Sequence, residues 1–287
     1  MNAKTSFAAV LTFSLVTLPF LAVRLAAQEA VPQPRIHLLP ANRPLGTGFR
    51  LAAGVAGTGT DVTDHGGPVI AQATVVFVFW GPQFATGGTE HKYATTLQAF
   101  RGIFGTSQEY KVLGQYGVNP SNLAAGTPDW FDTSTPPTDV TDADVQAEVN
   151  RYLESNTFSA STVYEVVIPS ASYSSFGSED SCGGPNLAYC AYYSFYTSGS
   201  DDVIYSIQPY ASCSGCQVPG WTPAQNEEHF VGQETVDAVT DPLGTGWWDS
   251  QTGENLADLC AWSPPPYLMN GYAYSYVWSN KAGGCVK

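Results

Sequence analysis

The stretch EEHFVGQETVDAVTDP, residues 227–242, concentrates side chains that can bind a metal or transfer a proton. In a helix, successive residues are rotated by about 100°. His229, Gln233 and Asp237 would then share one stripe of the helix surface, and Glu234 would lie along its edge. Two interpretations are open: a reactive site, or the solvated polar face of an ordinary amphipathic helix.

This helix and the segment after it resemble a known family. QETVDAVTDP followed by GWWDSQTGENLADLCAW is similar to the pattern HExxEAVTDP…GWYD…GEIGDLC of secreted bacterial proteins related to plant EXORDIUM and phosphate-induced proteins. Shorter matches extend the resemblance over most of residues 70–287: VVFVFWGPQF, GQYG, YEVVIP, CAYYSF and VWSNKAGGCV. The family carries a zincin-like HExxE helix, so the resemblance implies a zincin-like core.

The resemblance also implies roles for individual acids. In such a site, a metal held by imidazole and carboxylate groups lowers the pKa of a bound water, and a helix glutamate takes a proton from that water as it attacks a carbonyl. Glu234 matches the position of this base. Asp237 matches a second helix position, where the family has Glu, and Asp258 matches a downstream carboxylate. Asp241 and Glu254 are second-choice acids.

Two departures from the family pattern each remove an imidazole. Gln233 stands where the family has the His before the base, and Tyr193 in CAYYS stands where the family often has His. A neutral amide binds zinc poorly, and a tyrosine prefers harder metals. Two replacements are open: His229 lies one turn before Gln233 on the same face, or the helix carboxylates and Asp258 could hold Ca²⁺ or Mg²⁺ through oxygen atoms.

These observations lead to several hypotheses of function. The first is a secreted zincin-like protein with a degenerate metallopeptidase site and weak or no peptide hydrolysis. The second is an active metal-dependent endopeptidase with a rearranged ligand set. An acid-acting serine hydrolase or a hydrolase with paired carboxylates is also open. The third is a peptide- or glycan-binding protein, with Trp247 and Trp248 as aromatic platforms and Tyr193 beside them. The cofactor is accordingly one divalent metal, either zinc or a harder oxygen-binding ion, or none. Trp221 and Trp262 lie near the same segments in sequence.

The surrounding sequence predicts the elements that position these residues. Thr222 can cap the helix, with Pro223 at its first position, and Asp241-Pro242 should end it. Strands and helices alternate irregularly, which indicates an α/β or α+β fold with a mixed sheet flanked by helices. The other predicted elements are buried strands at 73–80 and 161–169, helices at 93–104 and from 141, a hairpin of YCAYYSFY and DVIYSIQPY, and a last strand at 270–280.

The N-terminal residues predict export. Residues 1–27 read as a secretory signal peptide, residues 28–68 as a Pro/Gly-rich arm, and residues 69–287 as a single domain. Six cysteines behind a signal peptide indicate up to three disulfides. The pairing we expect, one of about 15, is Cys182 with Cys190, Cys213 with Cys216, and Cys260 with Cys285.

The charge of the chain restricts its partners. It carries 25 acidic and 11 basic residues, a formal net charge of −14. Such a balance argues against nucleic acid and against an anionic membrane surface as a partner. The expected partner is a peptide or a cell-wall or other extracellular polymer, and the expected location is outside the cell or in the periplasm.

Overall fold

The structure, a computed structural model, describes residues 62–124 and 128–287 in full and residues 37–40 by their backbone. The predicted signal peptide and most of the predicted arm lie outside these ranges. All described residues belong to one compact unit of the chain, Pro32–Lys287. In chain order, its strands and helices are β1 (His37–Pro40), β2 (Thr63–Asp64), β3 (Thr74–Trp80), α1 (His91–Phe104), α2 (Gln108–Lys111), β4 (Trp130–Asp132), β5 (Asp139–Thr141), α3 (Asp142–Leu153), β6 (Thr162–Val167), β7 (Tyr173–Phe176), β8 (Glu179–Asp180), β9 (Tyr189–Ser198), β10 (Asp201–Gln208), α4 (Pro223–Thr240), β11 (Trp247–Trp248), β12 (Tyr267–Met269), β13 (Tyr272–Tyr274), β14 (Val277–Ser279) and β15 (Gly284–Val286).

A six-stranded mixed sheet forms the centre of the fold, with the order β1-β9-β10-β6-β3-β4. Strand β6 is parallel to β3 and β10, and β3 is parallel to β4, whereas β9 is antiparallel to both β10 and β1. The central strands read TVVFVFW and TVYEVV because helices cover both faces of this part of the sheet. The predicted mixed sheet flanked by helices is therefore confirmed.

The two faces of the sheet carry different helices. On one face, α1 and α4 pack together, and Phe77 and Phe79 of β3 join Leu97 of α1 and Val231 of α4 in one apolar cluster. On the other face, α3 packs through Val145 and its neighbours against the alternate residues of β3 and β6. The alternation along β3 thus supplies both layers of the core.

The predicted helix boundaries follow from local capping. Helix α4 begins with a capping box, in which Thr222 Oγ1 accepts the Gln225 N–H at 3.2 Å and Gln225 Oε1 accepts the Thr222 N–H at 3.0 Å. Pro223 occupies its first turn, and the helix ends before Asp241-Pro242 as predicted. The predicted last strand at 270–280 is instead two short strands, β13 and β14, separated by Ser275 and Tyr276.

Three disulfides join all six cysteines, and two of the predicted pairings are wrong. Cys260 pairs with Cys285 as expected. The other bonds are Cys182–Cys213 and Cys190–Cys216. The β9–β10 hairpin brings the chain before and at the start of β9 beside the segment that follows β10, so each cysteine of one segment meets a cysteine of the other. Within the described ranges, every helix is too short or too polar to cross a bilayer.

Candidate functional site

Helix α4 is buried almost from end to end. Every residue from Asn226 to Thr240 is buried. The interpretation of a solvated polar face is therefore wrong: the sheet, α1, the β12–β13 hairpin and the segment after the helix surround α4 on all sides. A buried polar group is costly unless it has a hydrogen-bond partner, so the partner of each α4 side chain defines what that side chain can do.

Glu234, the predicted base, is only 3% exposed and lies among other acids. Burial raises the pKa of its carboxyl well above the usual range, and the negative charges of Asp258, Asp237, Glu165 and Glu227 raise it further. Both causes favour the neutral form of the Glu234 carboxyl. A protonated carboxyl cannot take a proton from an attacking water.

Asp237, which is buried, and Asp258, which is half-buried, form an acidic pair that anchors the segment after α4. Asp237 Oδ1 accepts the Ala257 N–H at 2.8 Å, and the Asp258 N–H also donates to Asp237. Burial raises the pKa of Asp237, and the charge of Asp258 raises it further. Burial also raises the pKa of Asp258, with the charge of Glu254 as the next cause. The Asp237 carboxyl is thus engaged by the backbone of the segment it holds.

The end of α4 brings Tyr193 and Asp241 to the same place. Tyr193 Oη donates to the Asp241 carbonyl oxygen at 3.2 Å. The Asp241 carboxylate accepts the Gly246 N–H at 2.5 Å and the Asn255 amide at 3.0 Å. Burial raises the pKa of the Tyr193 phenol, and the nearby Asp241, Asp237, Asp258 and Glu234 carboxylates raise it further. The acids at this end of the helix therefore fasten residues 246–258, which we name the 246–258 loop, to α4.

Two further acids, Glu228 of α4 and Glu109 of α2, bind the backbone of β13 and of Ser275, the residue after it. Glu228 Oε2 accepts the Ala273 N–H at 2.7 Å, and Glu109 Oε2 accepts the Ser275 N–H at 3.0 Å. These N–H groups lie two residues apart, on the edge of β13 that faces away from β12. Both carboxyls are 1% exposed. Burial raises the pKa of Glu228 to about 7.

His229 and Gln233 contact each other rather than completing a set with the acids. The Gln233 amide is a polar neighbour of the His229 ring, and His229 Nδ1 lies 3.4 Å from Ser275 Oγ. His229 is 1% exposed, and burial lowers its pKa to about 3, so the ring is neutral at physiological pH. Its other neighbours are aromatic rings, Trp221 and Trp262 among them.

The donor atoms do not fit a metal ion in this arrangement. Zinc ligands lie about 2.0–2.3 Å from the ion, so three of them must come close to one another. Over residues 62–124 and 128–287, the imidazole, thiol and carboxylate donors that meet in a group of three within 4.8 Å are those of Cys182, Cys213 and Cys216. These cysteines are already joined in disulfides. No such group forms around Glu234 within those ranges.

The tryptophans do not form one platform. Trp247 and Trp248 make up β11, which pairs with β2. Trp248 stacks on His65 with 3.5 Å between ring centroids, and Trp247 meets Tyr116 edge-on at 5.1 Å. Trp221 and Trp262 lie elsewhere, around His229. A cavity of about 620 Å³ is lined in part by residues 68–72 and by Phe158, Ala160 and Ser161, and none of the predicted site residues lines it.

Sequence reasoning missed a second group of polar residues beside α4. Glu165, on β6, is fully buried and accepts hydrogen bonds from Thr235 Oγ1 at 3.0 Å, Gln208 Nε2 at 2.6 Å and Ser206 Oγ. Burial raises its pKa to about 7. Glu227 is also buried and accepts from Tyr93 Oη at 2.8 Å. The available signal was a single acid in the middle of the apolar strand TVYEVV.

Comparison with known proteins adds no neighbour: no family model matches the chain, and no characterised protein or solved structure is significantly similar to it. The resemblance to the EXORDIUM-related family therefore stays a prediction, and functional inference depends on the geometry of α4.

Proposed function

We propose that the chain is an exported, zincin-like protein with a degenerate metallopeptidase site and weak or no peptide hydrolysis. One observation carries this proposal. The residues at the catalytic positions of α4 are at most 3% exposed, and the Asp237 carboxyl accepts the Ala257 N–H of the 246–258 loop. On this proposal, α4 keeps the form of a catalytic helix and acts as the polar centre of the core.

The chemistry of hydrolysis supports the same conclusion. A metallopeptidase needs an open coordination position on its metal and an ionised glutamate within reach of the attacking water. Glu234 is buried, its raised pKa favours the neutral carboxyl, and the donors around it do not converge. A rearranged ligand set built on His229 finds no support, because the contacts of this ring are with Gln233, Ser275 and aromatic side chains.

Export is supported by the disulfides. Three disulfides are typical of proteins that mature in an oxidising compartment. Together with the predicted signal peptide at residues 1–27, they favour a location outside the cell or in the periplasm.

The Glu234→Gln variant tests the absence of catalysis. We expect the wild-type protein and the variant to hydrolyse a mixed library of fluorogenic peptides at the same rate, equal to the buffer background, with added zinc and with a chelator. Glutamine keeps the shape of the side chain and loses only the ability to ionise. A zinc-dependent rate that falls about 100-fold or more in the variant would contradict the proposal.

The Gln233→His variant tests whether the rest of a metal site survives. We expect no stoichiometric zinc in this variant or in the wild type, measured by elemental mass spectrometry and by calorimetric titration. An imidazole at this position still lacks a convergent ligand set, because the Asp237 carboxyl is held by the Ala257 N–H and the described histidine and carboxylate donors around α4 form no close group. One zinc ion per chain in either protein would favour the metal-dependent endopeptidase instead.

A further inference from the structure

His229 has a buried nitrogen that no protein group satisfies. The residue is 1% exposed, and Nε2 has no hydrogen-bond partner among the described residues. Buried polar atoms in native proteins nearly always have a partner, which can be a bound ligand. The unpartnered nitrogen therefore points to a group that the protein itself does not supply.

Two partly exposed tryptophans pack against the His229 ring. The Trp221 and Trp262 rings meet the His229 ring edge-on, with centroid distances of 5.9 and 5.3 Å and interplanar angles of 78° and 81°. Phe230 closes the inner side at 4.1 Å. Both tryptophans are partly exposed, whereas His229 and Phe230 are buried. We name the group of Trp221, Trp262, Phe230 and His229 the aromatic enclosure; its buried polar member is His229.

The backbone of Trp262 adopts a conformation that is unfavourable for a bulky residue. Trp262 has φ 60°, in the left-handed region that bulky residues avoid. It lies two residues after Cys260, which is bonded to Cys285, so the covalent framework fixes its place. Strained positions of this kind concentrate at functional sites. Trp221 lies between the exposed Gly220 and Thr222, in the turn before α4, and is itself partly exposed.

The polar groups of the enclosure are neutral. Gln233 contributes an amide and Ser275 a hydroxyl, and His229 is uncharged at physiological pH. Whichever ring nitrogen carries the proton, Nε2 offers one donor or one acceptor, and a ligand hydroxyl can match either. Aromatic faces beside neutral hydrogen-bonding groups suit a ring that is apolar on its faces and hydroxylated at its edge.

We propose that Trp221, Trp262 and His229 form a binding subsite for one pyranose ring of a neutral glycan. The ring stacks against the indoles, and one of its hydroxyls pairs with His229 Nε2. This subsite does not depend on Glu234 or on a metal, so it stands whether or not the protein hydrolyses peptides. It also replaces Trp247 and Trp248 as the aromatic residues of a binding function.

The test is a titration of the full chain with soluble cello-, xylo- and chito-hexaose, followed by tryptophan fluorescence and calorimetry. We expect at least one of these oligosaccharides to bind. We expect Trp221→Ala and Trp262→Ala each to raise the Kd about tenfold or more. The matched control is Trp248→Ala, which removes the tryptophan stacked on His65 and should leave the Kd unchanged.

A second variant separates ligand contact from folding. His229→Phe keeps an aromatic ring in the enclosure and removes only the nitrogens, so it should weaken binding while the thermal unfolding temperature is maintained. The proposal is overturned if none of the three oligosaccharides binds the wild type with a Kd below about 1 mM. It is equally overturned if the Trp221, Trp262 and His229 variants, folded by circular dichroism, bind as well as the Trp248 control.

Discussion

Lowering the pH from 8 to 5.5 is expected to stabilise this protein against unfolding. Most proteins lose stability on acidification because their carboxylates are better stabilised in the folded state. Here the reverse holds for the acids around α4. Burial raises the pKa of Glu165 and of Glu228 to about 7, and it raises the pKa of Glu234 and Asp237 well above the usual range.

The sign follows from proton binding. Between the ordinary carboxyl pKa and the raised one, the folded protein binds more protons than the unfolded chain, so stability falls as pH rises through this window. The full penalty is present above about pH 7 for Glu165 and Glu228, and it is absent below about pH 4.5. His229 acts in the opposite sense: its lowered pKa means that the unfolded chain gains a proton below about pH 6.5. The net effect of acidification is still stabilising, because several acids act in one direction and a single histidine acts in the other.

The expected change in the free energy of unfolding is large. Glu165 and Glu228 each contribute about 2 kcal/mol between pH 8 and 5.5. After the opposing effect of His229, the unfolding temperature should still rise by roughly 5–10 °C, measured by scanning calorimetry at constant ionic strength. Glu165→Gln is the matched control, because it keeps the side-chain shape and removes one titrating group. It should be more stable than wild type at pH 8 and should show a smaller pH dependence. An unfolding temperature that falls steadily from pH 8 to 5.5 would contradict this account.

Arg101→Met is expected to destabilise the protein by about 3–5 kcal/mol, the cost of leaving a buried charge without its partner. Arg101 is 7% exposed. Its guanidinium pairs with both oxygens of Asp129 and donates to the Val75 carbonyl at 2.9 Å. Asp129 also accepts the Phe77 N–H at 2.9 Å and the Gln98 amide at 2.6 Å. This cluster joins α1 to β3, so the loss should appear as a fall in the unfolding temperature of about 10 °C or more.

A double-mutant cycle identifies the origin of this loss. Asp129→Asn in the Arg101→Met background removes the unpaired charge and keeps a group that can still accept the Phe77 N–H. The double variant should therefore recover part of the stability lost in Arg101→Met. Additive losses from the two substitutions would show that packing of the arginine stem, rather than the charge pair, is responsible.

The extent of α4 could be predicted from sequence because local residues determine it. Thr222, Gln225 and Pro223 specify its start, and Asp241-Pro242 specifies its end. Strand β3, TVVFVFW, could be predicted equally well, since a continuous apolar run indicates a strand that is buried on both faces. These features need no information from distant parts of the chain.

The burial of α4 could not be predicted in the same way. The density of Glu and Asp in α4 is typical of a solvated surface. The residues that cover the helix belong to other segments, among them the 246–258 loop and the β12–β13 hairpin. The prediction that Cys182 pairs with Cys190 was wrong for the same reason. The actual partners of these two cysteines depend on the β9–β10 hairpin, which places the segment after β10 beside Cys182 and Cys190.

The interleaved order of two disulfides also changes what proteolysis can do to this protein. Cys182 and Cys190 precede the turn between β9 and β10, and their partners Cys213 and Cys216 follow it. Residues 197–201 of this hairpin are exposed and form the natural place for a protease to nick the chain. A cut there leaves the two fragments joined by two covalent bonds, with the sheet between them intact. The nicked molecule would have the mass of the intact chain plus one water, and it would separate into two pieces only after reduction.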